Sequence, residues 1–79
     1  MATEKIKLTA DWQQLTTGTE SVFIQSRAAN VALCDSQTKP DNTMPFVVVT
    51  EAGIFPPAVI WAKTFTLSLD LIVMRFQGK

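Results

Sequence analysis

Along most of this chain apolar residues recur at every second position, the spacing of a strand with one buried face, rather than at the three-to-four spacing of a helix. Ile6 and Leu8 alternate with Lys5, Lys7 and Thr9, and Val22 and Ile24 alternate with Phe23, Gln25 and Arg27. Asn30 to Cys34 sets Val31 and Leu33 on one side and Ala32 and Cys34 on the other, before Asp35 begins a polar connection. Each of these segments is predicted to be a strand. Ser36 to Pro45, with Pro40, Asp41, Asn42 and Pro45, has the chemistry of a loop. The run Phe46 to Thr50 predicts a further strand, closed by a turn at Glu51, Ala52 and Gly53. Ile54, Phe55, Pro56 and Pro57 then read as an extended edge or corner, because proline donates no ladder hydrogen bond. Ala58 to Lys63 forms another strand around Ile60 and Trp61. Phe65 to Phe76 alternates as one long strand or as two pieces with a bend near Ser68 to Asp70. Asp11 as a cap, with Trp12 and Leu15 three apart, offers a short helix over Ala10 to Leu15, but a loop or the start of a strand is the preferred reading there. Gly18 centres a turn over Thr16 to Ser21.

The strand-favouring residues Val, Ile, Phe, Trp and Thr fill 29 of 79 positions, which makes the chain all-β. About six or seven strands with short turns predict a small antiparallel β-sandwich or barrel of the jelly-roll or immunoglobulin-like kind. Residues 1–79 read as a single β domain, with 1–9 as an extended arm or edge strand. A hydrophobic content of 47% against 18% charged residues is that of a folding chain and not of a disordered one. At this length a core supplies roughly 3 to 5 kcal/mol, and small domains add disulfides, a metal or a partner subunit. With Cys34 the only cysteine and no histidine, an intrachain disulfide is impossible and a structural zinc lacks its usual ligands. A partner subunit remains, and the chain is expected to be a homo-oligomer. Leu71, Ile72, Val73 and Met74 put apolar side chains on both faces of the last strand, the pattern of a strand covered twice. A second copy would supply the second cover, and closed symmetry would hide sheet edges.

Chemistry narrows the function further. Seven Lys plus Arg balance seven Asp plus Glu, so no basic surface for nucleic acid is expected. Without His or Tyr, the usual proton shuttles and triads cannot be built, and the carboxylates mostly adjoin turn signals. Three glycines leave no phosphate-cradling loop. We therefore expect no enzyme, no cofactor and no metal. Cys34, in an apolar strand beside Asp35, reads as a small core or interface residue and not as a nucleophile. Met1 to Lys7 has the charges of Glu4, Lys5 and Lys7 and no apolar stretch after it, so cytosolic synthesis is expected. The longest apolar runs are far shorter than the ~20 residues of a membrane span, so no membrane is a partner.

Trp61, between Ile60 and Ala62, is expected in the core, whereas Trp12, between Asp11 and Gln13, reads as either a core plug or an interface anchor. Phe55-Pro56-Pro57 is either a strand terminator or a rigid apolar protrusion suited to docking. The order of segments is also informative: Trp12 to Leu15 (Trp-Gln-Gln-Leu), then Val22-Phe23-Ile24-Gln25-Ser26-Arg27, then a strand ending in a polar proline-bearing loop, then Val59-Ile60-Trp61-Ala62-Lys63 before a hydrophobic final strand. From Trp12 to Phe76 this order resembles small β-sandwich virion proteins of tailed bacteriophages and prophages. The resemblance implies a non-enzymatic capsid decoration or cement protein, made in the host cytoplasm and resident in the virion. Its partners would be itself, as a trimer, and the major capsid protein or another virion protein. On this reading Trp12, Phe55, Pro56, Ile6 and Leu8 make the contacts, and the segment Ala2 to Lys7 adds a strand to a capsid edge. The alternatives are a small tail, fibre or adaptor component, or a module that recognises host glycan or protein through Trp12 and the loop Ser36 to Pro45.

Overall fold

The computed structural model describes residues 2–41 and 43–76, among which there are eight strands and no helix. The strands are β1 (Ala2–Leu8), β2 (Gln13–Gln14), β3 (Ser21–Ser26), β4 (Val31–Asp35), β5 (Val47–Val49), β6 (Glu51–Ile54), β7 (Ile60–Thr64) and β8 (Leu69–Phe76). They form two four-stranded antiparallel sheets, β1-β8-β3-β6 and β2-β7-β4-β5. The chain is an all-β sandwich, as the alternation predicts. First strand pairs with last, second with seventh, third with sixth and fourth with fifth, so the chain is one long hairpin rolled into two layers, the winding of a jelly roll.

The pleat then sorts the side chains. From the first sheet Leu8, Val22, Ile24, Ile54, Leu69, Leu71 and Val73 point inward. They meet Val31, Leu33 and Ala62 of the second sheet, with Leu15 from the loop after β2. Burying each large aliphatic side chain of this set stabilises the fold by about 1.5 to 3 kcal/mol.

Four expectations are corrected. There are eight strands and not six or seven, because the two residues of β2 are too few to show a period. Glu51 to Gly53 is the body of β6 and not a turn: Ala52 and Ile54 pair with Ile24 and Val22 in register with the core face of β3. The change of direction takes only Thr50, whose carbonyl accepts the Ser26 N–H at 2.7 Å as the chain passes from one sheet to the other. Third, the long final segment is broken. Phe65 to Ser68 is a loop tied by Thr66, whose N–H donates to Thr64 Oγ1 (3.3 Å) and whose hydroxyl donates to the Ser68 carbonyl (3.0 Å). Phe65 and Leu67 are exposed, so their alternation marks no buried face. Fourth, Trp61 does not lie between the sheets. It sits on the outer face of the second sheet with Trp12, Ala32, Cys34 and Met44, in a smaller cluster of its own.

That outer cluster is closed by the loop that follows β4. Ser36 accepts the Trp61 indole N–H on its carbonyl (3.0 Å), Asp41 Oδ1 accepts both the N–H and the hydroxyl of Thr43 (2.9 and 2.7 Å), and Lys39 pairs with Asp11 at 2.9 Å. The segment 1–9, expected as an arm or an edge strand, is an edge strand over the residues described here; Ala2 to Leu8 pair with Arg75 to Leu69 of β8. Met1 lies outside the described residues.

Candidate interaction surface

The strand pairings bring together apolar residues that are far apart in sequence. On the outer face of the first sheet, Met74 of β8 pairs with Phe23 of β3, which pairs with Gly53 of β6. Phe76, two residues beyond Met74, shares its face. All three large side chains remain between 36% and 38% exposed. The next row along the same face is polar, with Lys5, Gln25 and Glu51 flanking Ile72. At Gly53 the missing side chain leaves room for a ring: a Cβ there would lie 3.2 to 3.3 Å from Phe55, so the Phe55 ring packs over the strand. Phe55 itself is 64% exposed.

Beyond Phe55 the two sheets splay. Between the two edge strands, β5 and β6, lies a groove of about 580 Å³ whose walls are Phe46 and Val47 on one side and Ile54 and Phe55 on the other, with Leu33 and Ile60 among its lining. Its outer lip is Phe46 and Val47, 41% and 59% exposed; Val48, paired with Ala32, faces the other side of β5. The apolar surface therefore runs from Phe76 and Met74 across Phe23 and Phe55 to the edge of β5, with Asp35 the one charged residue lining the groove and the Lys63 ammonium 5.5 Å from the Phe46 ring centroid. Taking roughly 200 Å² for a free Phe or Met and roughly 150 Å² for Val, the six residues Phe76, Met74, Phe23, Phe55, Phe46 and Val47 expose about 520 Å², in the upper part of the range of the largest patch on a soluble monomer.

The corner that presents Phe55 is held from several sides. The Ala58 N–H donates to the Phe55 carbonyl (3.0 Å), closing the turn over Pro56 and Pro57, whose peptide bond is cis. Val59 N–H donates to Asp35 Oδ1 (3.0 Å), and the Ser36 N–H to the Val59 carbonyl (2.9 Å). The buried Thr16 hydroxyl donates to the Ala58 carbonyl (2.9 Å) and accepts the Ile60 N–H (3.0 Å). A ring on so constrained a turn loses little freedom when a partner covers it.

The residues expected to make contacts separate into two groups. Phe55 and Pro56 are exposed and belong to the apolar belt. Leu8 is corrected from a contact to a core residue: it is wholly buried opposite Leu69 and has no free surface. Ile6 is half-buried against the same core. Trp12 is corrected likewise, since only 8% of it is exposed. Phe46 meets its ring edge-on at 5.8 Å and the Lys63 ammonium lies 4.9 Å from its centroid, so no open face is left for a sugar ring. Its indole N–H has no hydrogen-bond partner. The segment Ala2 to Lys7 already pairs with β8, so any further strand would have to join its other edge. Phe23, Met74, Phe76 and Val47 were not singled out as contacts. Their one signal was the run Leu71 to Met74, apolar on both faces.

Burial, and secondarily the Asp35 carboxylate, push the Cys34 thiol up, so it stays protonated near neutrality. Among the described residues no three His, Cys, Asp or Glu side chains lie close enough to hold a metal ion, and no helix is long and apolar enough to cross a membrane. No family model, curated protein or solved structure matches the chain.

Proposed function

We propose that this chain is a non-enzymatic assembly subunit, and specifically a protein that oligomerises and binds the outer surface of a bacteriophage capsid shell, stabilising it. The observation that carries the reading is the apolar belt from Phe76 to Val47, backed by a hydrogen-bonded corner at Phe55. A surface of this extent and composition favours burial against protein over exposure to water. Stabilisation would follow from mass action, because a ligand that binds only the assembled shell shifts the equilibrium towards it. The segment order from Trp12 to Phe76, in its resemblance to small virion proteins, suggests the particular partner, and the jelly-roll winding is one that capsid domains use, which is an analogy of fold.

The test is co-sedimentation with shells that lack the protein. Saturable binding is expected, lost when Phe23 and Met74 on the outer sheet face are both replaced by Asp. Wild-type protein that stays in the supernatant at every concentration overturns the reading.

A further inference from the structure

We infer that the groove between β5 and β6, together with Phe55, is a two-fold interface between two copies of this chain. The inference rests on the reading of the protein as an assembly subunit and names the first partner it takes. A projecting ring and an apolar recess lie side by side on one surface: Phe55 stands on the lip of the groove walled by Phe46 and Val47. When knob and hole share one patch, two copies related by a two-fold axis can exchange knobs reciprocally; knob and hole on separate faces would instead build rings or filaments.

Area and charge favour a second copy as the occupant. The belt exposes about 520 Å² of apolar side chain, about two-thirds of the ~800 Å² per partner that a stable interface of standard size buries. Pro45, Pro56 and Pro57, all exposed around the groove, extend it towards that size. Asp35 is the one charged residue lining the groove, and its carboxylate already accepts the Val59 N–H within its own chain, so the apolar walls of two identical surfaces can meet without a row of opposing like charges. The edge strands point the same way. β1 carries Glu4, Lys5 and Lys7, β2 has only two residues, and β6 has Glu51 and Gly53. β5, Val47 to Val49, is short but consists of three valines, with none of the charges or prolines that keep sheet edges apart in water. Alternate β5 residues turn their N–H and C=O groups away from β4, free to pair with a second β5 running antiparallel. This geometry gives a dimer where the resemblance implies a trimer.

Light scattering after size-exclusion chromatography tests it. The wild-type chain is expected at twice its 8.7 kDa mass, with Phe55→Asp and Val47→Lys each weakening self-association roughly tenfold or more. Unchanged circular dichroism and thermal midpoint, compared at a concentration where all the proteins are monomeric, would show that the variants fold. Mixing the two variants restores part of the association, because Phe55 of the Val47→Lys chain still meets an intact groove on the Phe55→Asp chain. A wild-type monomer up to about 1 mM, a trimer, or a dimer indifferent to both substitutions overturns the inference. A monomer that still binds shells overturns it while leaving the assembly reading in place, and a dimer that ignores shells does the reverse.

Discussion

Thr16 offers a stringent test of how the Phe55 corner is held. Its side chain is 1% exposed, and its hydroxyl takes the place of a ladder group where β2 has ended, accepting the Ile60 N–H and donating to the Ala58 carbonyl. Thr16→Val keeps the shape and removes both bonds. Each lost bond costs about 1 kcal/mol net, and a buried donor or acceptor left unpaired adds to that, so the expected loss is about 3 kcal/mol. A chain of this length has about 4 to 12 kcal/mol in total. The loss therefore corresponds to a fall in thermal midpoint of more than about 10 °C. Thr16→Ser retains the hydroxyl and loses one methyl, for about 1 kcal/mol. Urea unfolding followed by tryptophan fluorescence measures both variants, with unchanged slopes marking a true change in stability. If Thr16→Val were as stable as Thr16→Ser, the two hydrogen bonds would not be what anchors Ala58, and the claim that the corner is preorganised would fall with them.

Gly18 has φ +107°, and a Cβ there would lie 3.3 Å from the Pro57 carbonyl oxygen; Gly18→Ala should cost about 1 to 3 kcal/mol in thermal unfolding, and Gly18→Asn less, since asparagine tolerates positive φ better. Hydrogen bonds from the Thr17 N–H, and then from its hydroxyl, hold Glu20 below the usual carboxylate range. A depressed folded value means that the stability Glu20 contributes is present above its unfolded value and lost as pH falls through the folded one. Thr17→Val should therefore raise the Glu20 value seen by NMR and move acid unfolding to higher pH. The Lys63 ammonium lies 5.5 Å from the Phe46 ring centroid, and a double-mutant cycle with Lys63→Met and Phe46→Leu should return a coupling of about 0.5 to 1 kcal/mol; a coupling of zero would remove the cation from the account of how Phe46 is positioned.

Which features could be foreseen follows from how local their causes are. β1 and β3 were legible because one buried face imposes a period of two on Ile6 and Leu8, Val22 and Ile24, and β4 because its continuous apolar run, Val31 to Cys34, buries both faces. β6 was not, because Glu51 and Gly53 carry turn chemistry; they are extended because Ala52 and Ile54 pair with β3, a contact some thirty residues away in the chain. The sequence leaves Trp12 open between a core plug and an interface anchor, and its burial could not be chosen there, since the second sheet is covered on its outer face as well, by a loop whose polar composition gives no sign of lying over a cluster of its own. Phe55 and Pro56 stood out because proline constrains the backbone wherever it occurs. The rest of the belt depends on the β8-β3-β6 register, which alone brings Met74 beside Phe23 and Phe23 beside Gly53. A single chain shows the alternation but not the pairing.

The central claim is that the belt is covered when the protein works, and oxidative footprinting of the chain, free and mixed with shells, reads this directly. Leu67, 94% exposed in the β7-β8 loop and outside the belt, is the internal control. Assembly through the belt predicts that labelling of Phe23, Met74, Phe55 and Phe76 falls several-fold in the mixture relative to the diluted free chain, while Leu67 labels equally in both. Equal labelling of the belt residues under the two conditions, or protection confined to Leu67, would contradict it.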